Sequence, residues 1–193
     1  MSENWDDYAD NWNDNDDVIA YSHHAFEALN RFTDINDLII MDFGCGTGLL
    51  TEQLISKVTS VIAIDPSCKM TDVLKAKSLK NVTVMTSLID DQFLQKHTEL
   101  KDSFDMIVAS SVCAFLPDYP ATLKHLISLL KPGGLFVQWD WMPTKEDPNF
   151  GFTLDKIIKA YNKAKLTVLI AENVFSMGES PSTMQVVMGV GKR

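Results

Sequence analysis

The stretch Leu38-Ile39-Ile40-Met41-Asp42-Phe43-Gly44-Cys45-Gly46-Thr47-Gly48-Leu49-Leu50 reads as a buried apolar strand that runs through a glycine-rich bend directly into a helix. Glycines at 44, 46 and 48 remove the Cβ atoms that would hold a ligand off the backbone, and they permit the positive φ values of a sharp strand-to-helix turn. The helix that follows is expected to aim free N–H groups and its positive dipole end into the same space. The stretch is a small-molecule cradle at the C-terminal end of a strand.

The chain on either side repeats this strand–helix alternation. Beyond a helix expected to reach about Lys57, Ser60–Ile64 is a second apolar strand ending on Asp65-Pro66-Ser67, with Ser67 a good N-cap for a helix to about Lys77. Val82–Met85 is a third strand, followed by Thr86-Ser87-Leu88 and a short helix from Asp90 to His97. Phe104–Ala109 is a fourth, opening into Ser110-Ser111-Val112-Cys113. Asp118 then caps a helix with Pro120 in its first turn, Lys131-Pro132-Gly133-Gly134 stops it, and Leu135–Trp139 is a fifth strand ending at Asp140-Trp141. Thr153 caps a helix to about Lys163, and two β-prone runs, 166–175 and 184–190, follow around Gly178-Glu179-Ser180-Pro181.

Five such alternations demand parallel strands joined by right-handed helical crossovers, and the short last connection demands an antiparallel pair at one sheet edge. The expected fold class is therefore α/β, a doubly wound seven-stranded mostly parallel sheet with an antiparallel last strand. In such sheets ligands lie outside the C-terminal strand ends, where Asp42–Gly48, Asp65, Ser87, Ser110 and Asp140 all fall. The length suits a single domain, residues 1–193, with 1–34 as a helical lid or flank and 35–193 as the α/β core.

The net charge of −9 is concentrated in the first thirty residues, where Glu3, Asp6, Asp7, Asp10, Asp14, Asp16, Asp17 and Glu27 meet no Lys or Arg. That acidity argues against nucleic acid as a partner. Absence of a signal-like or membrane-spanning apolar run gives the expectation of a soluble cytoplasmic protein that does not enter membranes. Cys45, Cys68 and Cys113, odd in number and lying in or beside apolar segments, point to reduced structural thiols, with neither disulfide nor metal. Trp5, Tyr8 and Trp12 recur at helical spacing, so a helix there would lay one aromatic face on a flank of the core or over the ligand as a lid. If deletion of residues 1–30 leaves cofactor affinity unchanged, the lid fails.

Spacing separates the cofactors. A dinucleotide fingerprint from Gly44 would place its third glycine at position 49, which is Leu, so a nicotinamide-dependent reductase is disfavoured. Asp65 at the end of the second strand can accept hydrogen bonds from both ribose hydroxyls. Asp42–Gly48, Ala63-Ile64-Asp65-Pro66-Ser67, Phe104–Val108, Leu129–Leu135 and Val187–Gly191 together resemble the class I S-adenosylmethionine-dependent methyltransferases, of Rossmann-like fold. The branch resembled is the small-molecule one of ubiquinone and menaquinone biosynthesis. The resemblance implies that Gly44, Gly46 and Gly48 approach the cofactor, with Cys45 at a variable position of the same turn. It implies that Asp42 orients the methionine end and that Asp65, beside Pro66, holds the ribose. Where that family often has an acid near the adenine, this chain has Ser87-Leu88, so either the Ser87 hydroxyl and the Leu88 N–H serve there or Asp90 or Asp91 reaches back.

The expected reaction is in-line methyl transfer from S-adenosylmethionine to a small organic acceptor, with aromatic walls from Phe115, Trp139 and Trp141. Candidate proton acceptors are His23, His24 and Asp140; His97 and His125 fall on helices away from the strand ends. The methylation motifs of DNA enzymes and the paired glutamates of arginine methyltransferases are absent after the fourth strand. The alternative is a protein that binds S-adenosylmethionine or S-adenosylhomocysteine without methyl transfer.

Overall fold

A computed structural model describes residues 4–178 and 183–193. The strands are β1 (Ile39–Phe43), β2 (Ser60–Asp65), β3 (Val82–Thr86), β4 (Phe104–Ser110), β5 (Leu130–Trp141), β6 (Thr167–Met177) and β7 (Met184–Lys192). They form a seven-stranded sheet in the order β3-β2-β1-β4-β5-β7-β6. The pairs β1–β2, β2–β3 and β4–β5 are parallel, whereas β7 runs antiparallel to both β5 and β6. The expected fold class is thus observed. Of the turn expected at 178–181, residues 179–181 lie outside the described residues.

The chain divides into two compact units, Met1–Leu88 and Ile89–Arg193. In the first, β1–β3 carry α1 (Asp16–Phe32), α2 (Leu49–Leu54) and α3 (Cys68–Ala76). Its core is made of strand residues Ile40, Met41, Val61, Ala63 and Ile64 against Leu29, Leu54, Met70 and Leu74 of the helices, all nearly inaccessible. Each of these side chains other than Ala63 contributes roughly 1.5–3 kcal/mol of transfer free energy. Asn15 starts α1 by accepting from the Asp17 and Val18 amides, and Ser67 starts α3 by accepting from Met70 N at 3.1 Å. The helix α2 is shorter than expected, ending at Leu54 rather than near Lys57, with Ile55 as its C-cap.

The second unit holds β4–β7 with α4 (Asp91–Lys96), α5 (Tyr119–Leu129) and α6 (Leu154–Lys163). The caps read from sequence recur: Asp118 accepts from Ala121 N and Thr153 from Lys156 N; Asp90, expected only to begin a short helix, also caps it by accepting from Phe93 N. One boundary differs. The Lys131-Pro132-Gly133-Gly134 segment lies within β5, as a register shift between the Phe104–Leu130 and Met106–Leu135 pairs. Proline has no N–H for the ladder, and Gly133 takes φ 82°, so the segment bulges without ending the strand.

The aromatic N-terminal segment also departs from a single helix. It forms two short 3-10 helices, Trp5–Asp7 and Ala9–Asp14. Asp6, Asp7, Asp10, Asn11, Asn13 and Asp14 compete with the helical backbone through their own side chains, which favours short turns over a long α-helix.

Candidate functional site

In the first unit β1 delivers the glycine turn against the end of β2. Gly44, Gly46 and Gly48 take φ 73°, 52° and 87°, all left-handed. At Gly48 a Cβ would stand 2.3 Å from Leu74 Cδ1, so only glycine lets α3 pack this close. The turn amides, however, are not free. Gly44 N and Cys45 N donate to the Ile64 carbonyl at 2.8 and 3.2 Å, Gly46 N to Asp65 Oδ2 at 3.0 Å, and Gly48 N to the Cys45 carbonyl at 2.9 Å. These bonds belong to the bend; the free N–H groups expected of the helix are those of its first turn, which begins at Leu49. The glycines provide close backbone approach, while β2 takes the Gly44, Cys45 and Gly46 donors and the Cys45 carbonyl takes that of Gly48.

Asp65 is the centre of this arrangement. It is 9 % exposed, and its second oxygen, Oδ1, accepts from Ser67 N at 2.8 Å. Burial raises its pKa, against the two backbone donors that lower it. Two amides occupy one lone pair on each oxygen, leaving one on each for a vicinal diol. Asp42, 1 % exposed, accepts from Thr51 Oγ1 at 2.6 Å. Burial pushes its pKa up to about 7, opposed by the Thr51 hydroxyl and helped by the neighbouring Asp65 charge. Cys45 is buried with its thiol pKa raised by desolvation, so it is an unreactive wall. Cys68, by contrast, is exposed at the start of α3.

Around these groups Pro66 is exposed beside Asp65, and Ser87 N bonds the Asp65 carbonyl at 3.1 Å while its hydroxyl donates to the Leu88 carbonyl at 3.0 Å. Leu88 is 63 % exposed. Asp42, Gly44, Cys45, Gly46, Gly48, Asp65, Pro66, Ser87 and Leu88 thus share one end of the first unit's strands. Asp90 accepts from Phe93 N as the α4 cap, and Asp91 lies 3.0 Å from His125 Nε2.

The same end of the first unit receives residues that carried no local signal. Asp6 Oδ1 accepts from Ser67 Oγ at 2.5 Å and from Lys69 N at 3.2 Å, and Asn13 Oδ1 accepts from Thr47 Oγ1 at 2.6 Å. These partners are distant in sequence, and an isolated Asp or Asn in an acidic run gives nothing to find them by. On α1, His23 is exposed and His24 Nδ1 lies 3.5 Å from Glu27.

In the second unit Ser110 ends β4 and Asp140 is the penultimate residue of β5. Asp140 is inaccessible, accepting from Ala114 N at 3.1 Å and from Gln138 Nε2 at 2.8 Å; Tyr119 in turn donates to Gln138 Oε1. Burial pushes its pKa up to about 7 despite these donors. Asp140 is therefore an internal anchor of the turn after β4. Trp141 Nε1 donates to Ser111 Oγ at 3.0 Å, reinforcing that turn. Trp139 is wholly buried and so cannot wall an acceptor; strand alternation puts it on the face of Trp141 but one pleat deeper. Phe115, 37 % exposed, packs on Phe150 with centroids 5.1 Å apart.

An alternately wound sheet whose first strand enters a left-handed glycine turn, and whose second ends on a carboxylate bound to that turn, defines a nucleoside-cofactor protein of the α/β class. The chain belongs to the methyltransferase-domain family, whose model matches residues 19–149. It is 28% identical over 160 residues to a ubiquinone biosynthesis O-methyltransferase of Colwellia psychrerythraea, covering 82% of this chain and 56% of that protein. To the demethylmenaquinone methyltransferase of Lactococcus lactis subsp. lactis it is 30% identical over 126 residues, covering 62% and 50%. The chain spans about half the length of these curated relatives. Its fold matches Burkholderia thailandensis 1,6-didemethyltoxoflavin-N1-methyltransferase, solved with its substrate and S-adenosylhomocysteine, at TM-score 0.73 and 16% identity over 98% of this chain and 86% of that one. Among the described residues no helix is long and apolar enough to cross a membrane.

Proposed function

We propose that this chain transfers a methyl group from S-adenosylmethionine to a small organic acceptor. The observation that carries the reading is Asp65, held by the Gly46 and Ser67 amides with one lone pair of each oxygen left over, facing a turn of alternate left-handed glycines. When bound, S-adenosylmethionine supplies an electrophilic methyl on sulfur, displaced in line with the C–S pair left on the sulfur of S-adenosylhomocysteine. Asp65 would accept the ribose hydroxyls. Asp42, close to neutral pH in its titration, would hold the cofactor's ammonium once ionised. The glycines let both ends of the ligand lie against backbone.

The residues named as proton acceptors support a particular acceptor chemistry. Asp140 is buried with an N–H donor on each oxygen, His24 stands beside Glu27, and His23 is exposed on a helix surface. This arrangement favours an acceptor whose lone pair is available at neutral pH, such as a neutral amine or an ionised phenol, over one needing a strong protein base. The quinone-directed names of the curated relatives agree with a small acceptor. Titration calorimetry should give binding of S-adenosylmethionine and S-adenosylhomocysteine and none of nicotinamide dinucleotides. Labelled methyl donor should then yield product on a panel of small phenols and amines; binding without product on any member would favour the non-transferring alternative.

A further inference from the structure

We infer that residues 4–14 are a latched strap over the cofactor cradle, in which Trp12 is a cofactor-contacting residue and Asp6 and Asn13 are positioning residues. The inference rests on the cofactor reading above and adds to it residues outside the glycine turn and the ribose acid.

The strap has little structure of its own. Its two 3-10 helices are stitched by the Trp5, Tyr8 and Trp12 rings, whose centroids lie 5.8, 6.0 and 6.4 Å apart. Two edge-on contacts, of Trp12 with Trp5 and with Tyr8, and a tilted one between Trp5 and Tyr8 join the three rings into a small plate. What fixes the plate is its fastening. Asn13 bonds Thr47, the residue between Gly46 and Gly48, and Thr47 is wholly buried. Asp6 bonds Ser67 and Lys69 N; the same Ser67 donates its own N–H to Asp65. Each latch therefore grips a turn that carries a proposed cofactor residue, one on the β1 side and one on the β2 side. The Asp6 carboxylate also lies at the positive end of α3, which strengthens its hold. Between the latches Trp12 covers the turn: a Cβ on Gly46 would lie 3.8 Å from Trp12 Nε1.

A ligand lying across Gly46 and Asp65 would meet the Trp12 indole, whose face suits an adenine or a sulfonium. Opening the two latches would also be the step that admits and releases it. Contact and exchange are thus separable: Trp12 sets affinity, and Asp6 with Asn13 sets the rates.

S-adenosylhomocysteine is the probe, with affinity read by calorimetry and exchange by stopped-flow tryptophan fluorescence on the full chain. The Asp6→Ala/Asn13→Ala double variant should exchange it at least about tenfold faster, because it removes three hydrogen bonds to the cradle. Asn13→Asp, which keeps an acceptor oxygen at its latch and leaves the Asp6 carboxylate in place, should exchange at the wild-type rate. Thr47→Val opens one latch from the cradle side and should show the same acceleration even if the double alanine variant does not fold. Trp12→Ala should weaken binding about tenfold. Wild-type exchange rates in both latch-broken variants overturn the strap, and full affinity in Trp12→Ala overturns the contact. Wild-type protein that binds no S-adenosylhomocysteine overturns the cofactor reading and the strap together, an outcome distinct from binding with unaltered rates.

Discussion

Asp42 and Asp140 occupy corresponding places in the two units. Each is the penultimate residue of a strand, each is inaccessible, and burial raises each to about 7. Their surroundings differ. Asp42 has a single hydroxyl donor, Thr51, and a second carboxylate, Asp65, nearby. Asp140 has a backbone amide, a side-chain amide and the influence of Lys156. A carboxylate that is buried with few donors and near another negative charge gains most from an incoming cation, whereas one that is already answered gains least. The same burial thus accompanies one hydroxyl donor in the first unit and two amide donors in the second.

The largest expected effect separates them directly. Asp42→Asn should lower affinity for S-adenosylhomocysteine about 100-fold, the worth of an opposite-charge contact in a dry site. Asp140→Asn should leave it within about threefold while raising the thermal midpoint at pH 8, because it removes a buried charge. Equal losses in calorimetry would erase the distinction. Next in size is the pH response. Both carboxyls have raised folded-state pKa values, so the folded chain holds protons that the unfolded chain has released between the ordinary value of about 4 and about 7. Stability from this source is complete below the unfolded pKa and is lost as pH rises through about 7, by a few kcal/mol per group. Thermal midpoints should fall from pH 5.5 to 8, less steeply in either asparagine variant. Affinity should run the other way, rising over that window in wild type and in Asp140→Asn but not in Asp42→Asn. The smallest effect is Thr51→Val, which removes Asp42's hydroxyl donor. It should cost roughly 1–2 kcal/mol and move the affinity profile to higher pH.

Much of the fold was legible because its signals are local. Ser67, Asp118 and Thr153 cap the helices they head, since an N-cap bond spans only three residues. The Gly44–Gly48 spacing and Asp65 were legible for the same reason: both are properties of one strand end. The Lys131–Gly134 bulge was not, because whether a proline-glycine turn ends a strand or interrupts it depends on the neighbour that pairs with both sides, here β4. Nor was the burial of Trp139, which depends on its depth along β5 rather than on its identity.

By itself, then, the sequence determined the order of strands and helices, the glycine turn and the two acids that serve it, since periodicity, capping and backbone freedom are written within a few residues. Only the tertiary structure decided that β2 takes the Gly44, Cys45 and Gly46 amides, that Asp140 is buried against the Ala114 and Gln138 amides, and that Asp6 and Asn13 reach Ser67 and Thr47. Those partners lie tens of residues apart, and a hydrogen bond between them exists only once folding has brought their strands and helices together.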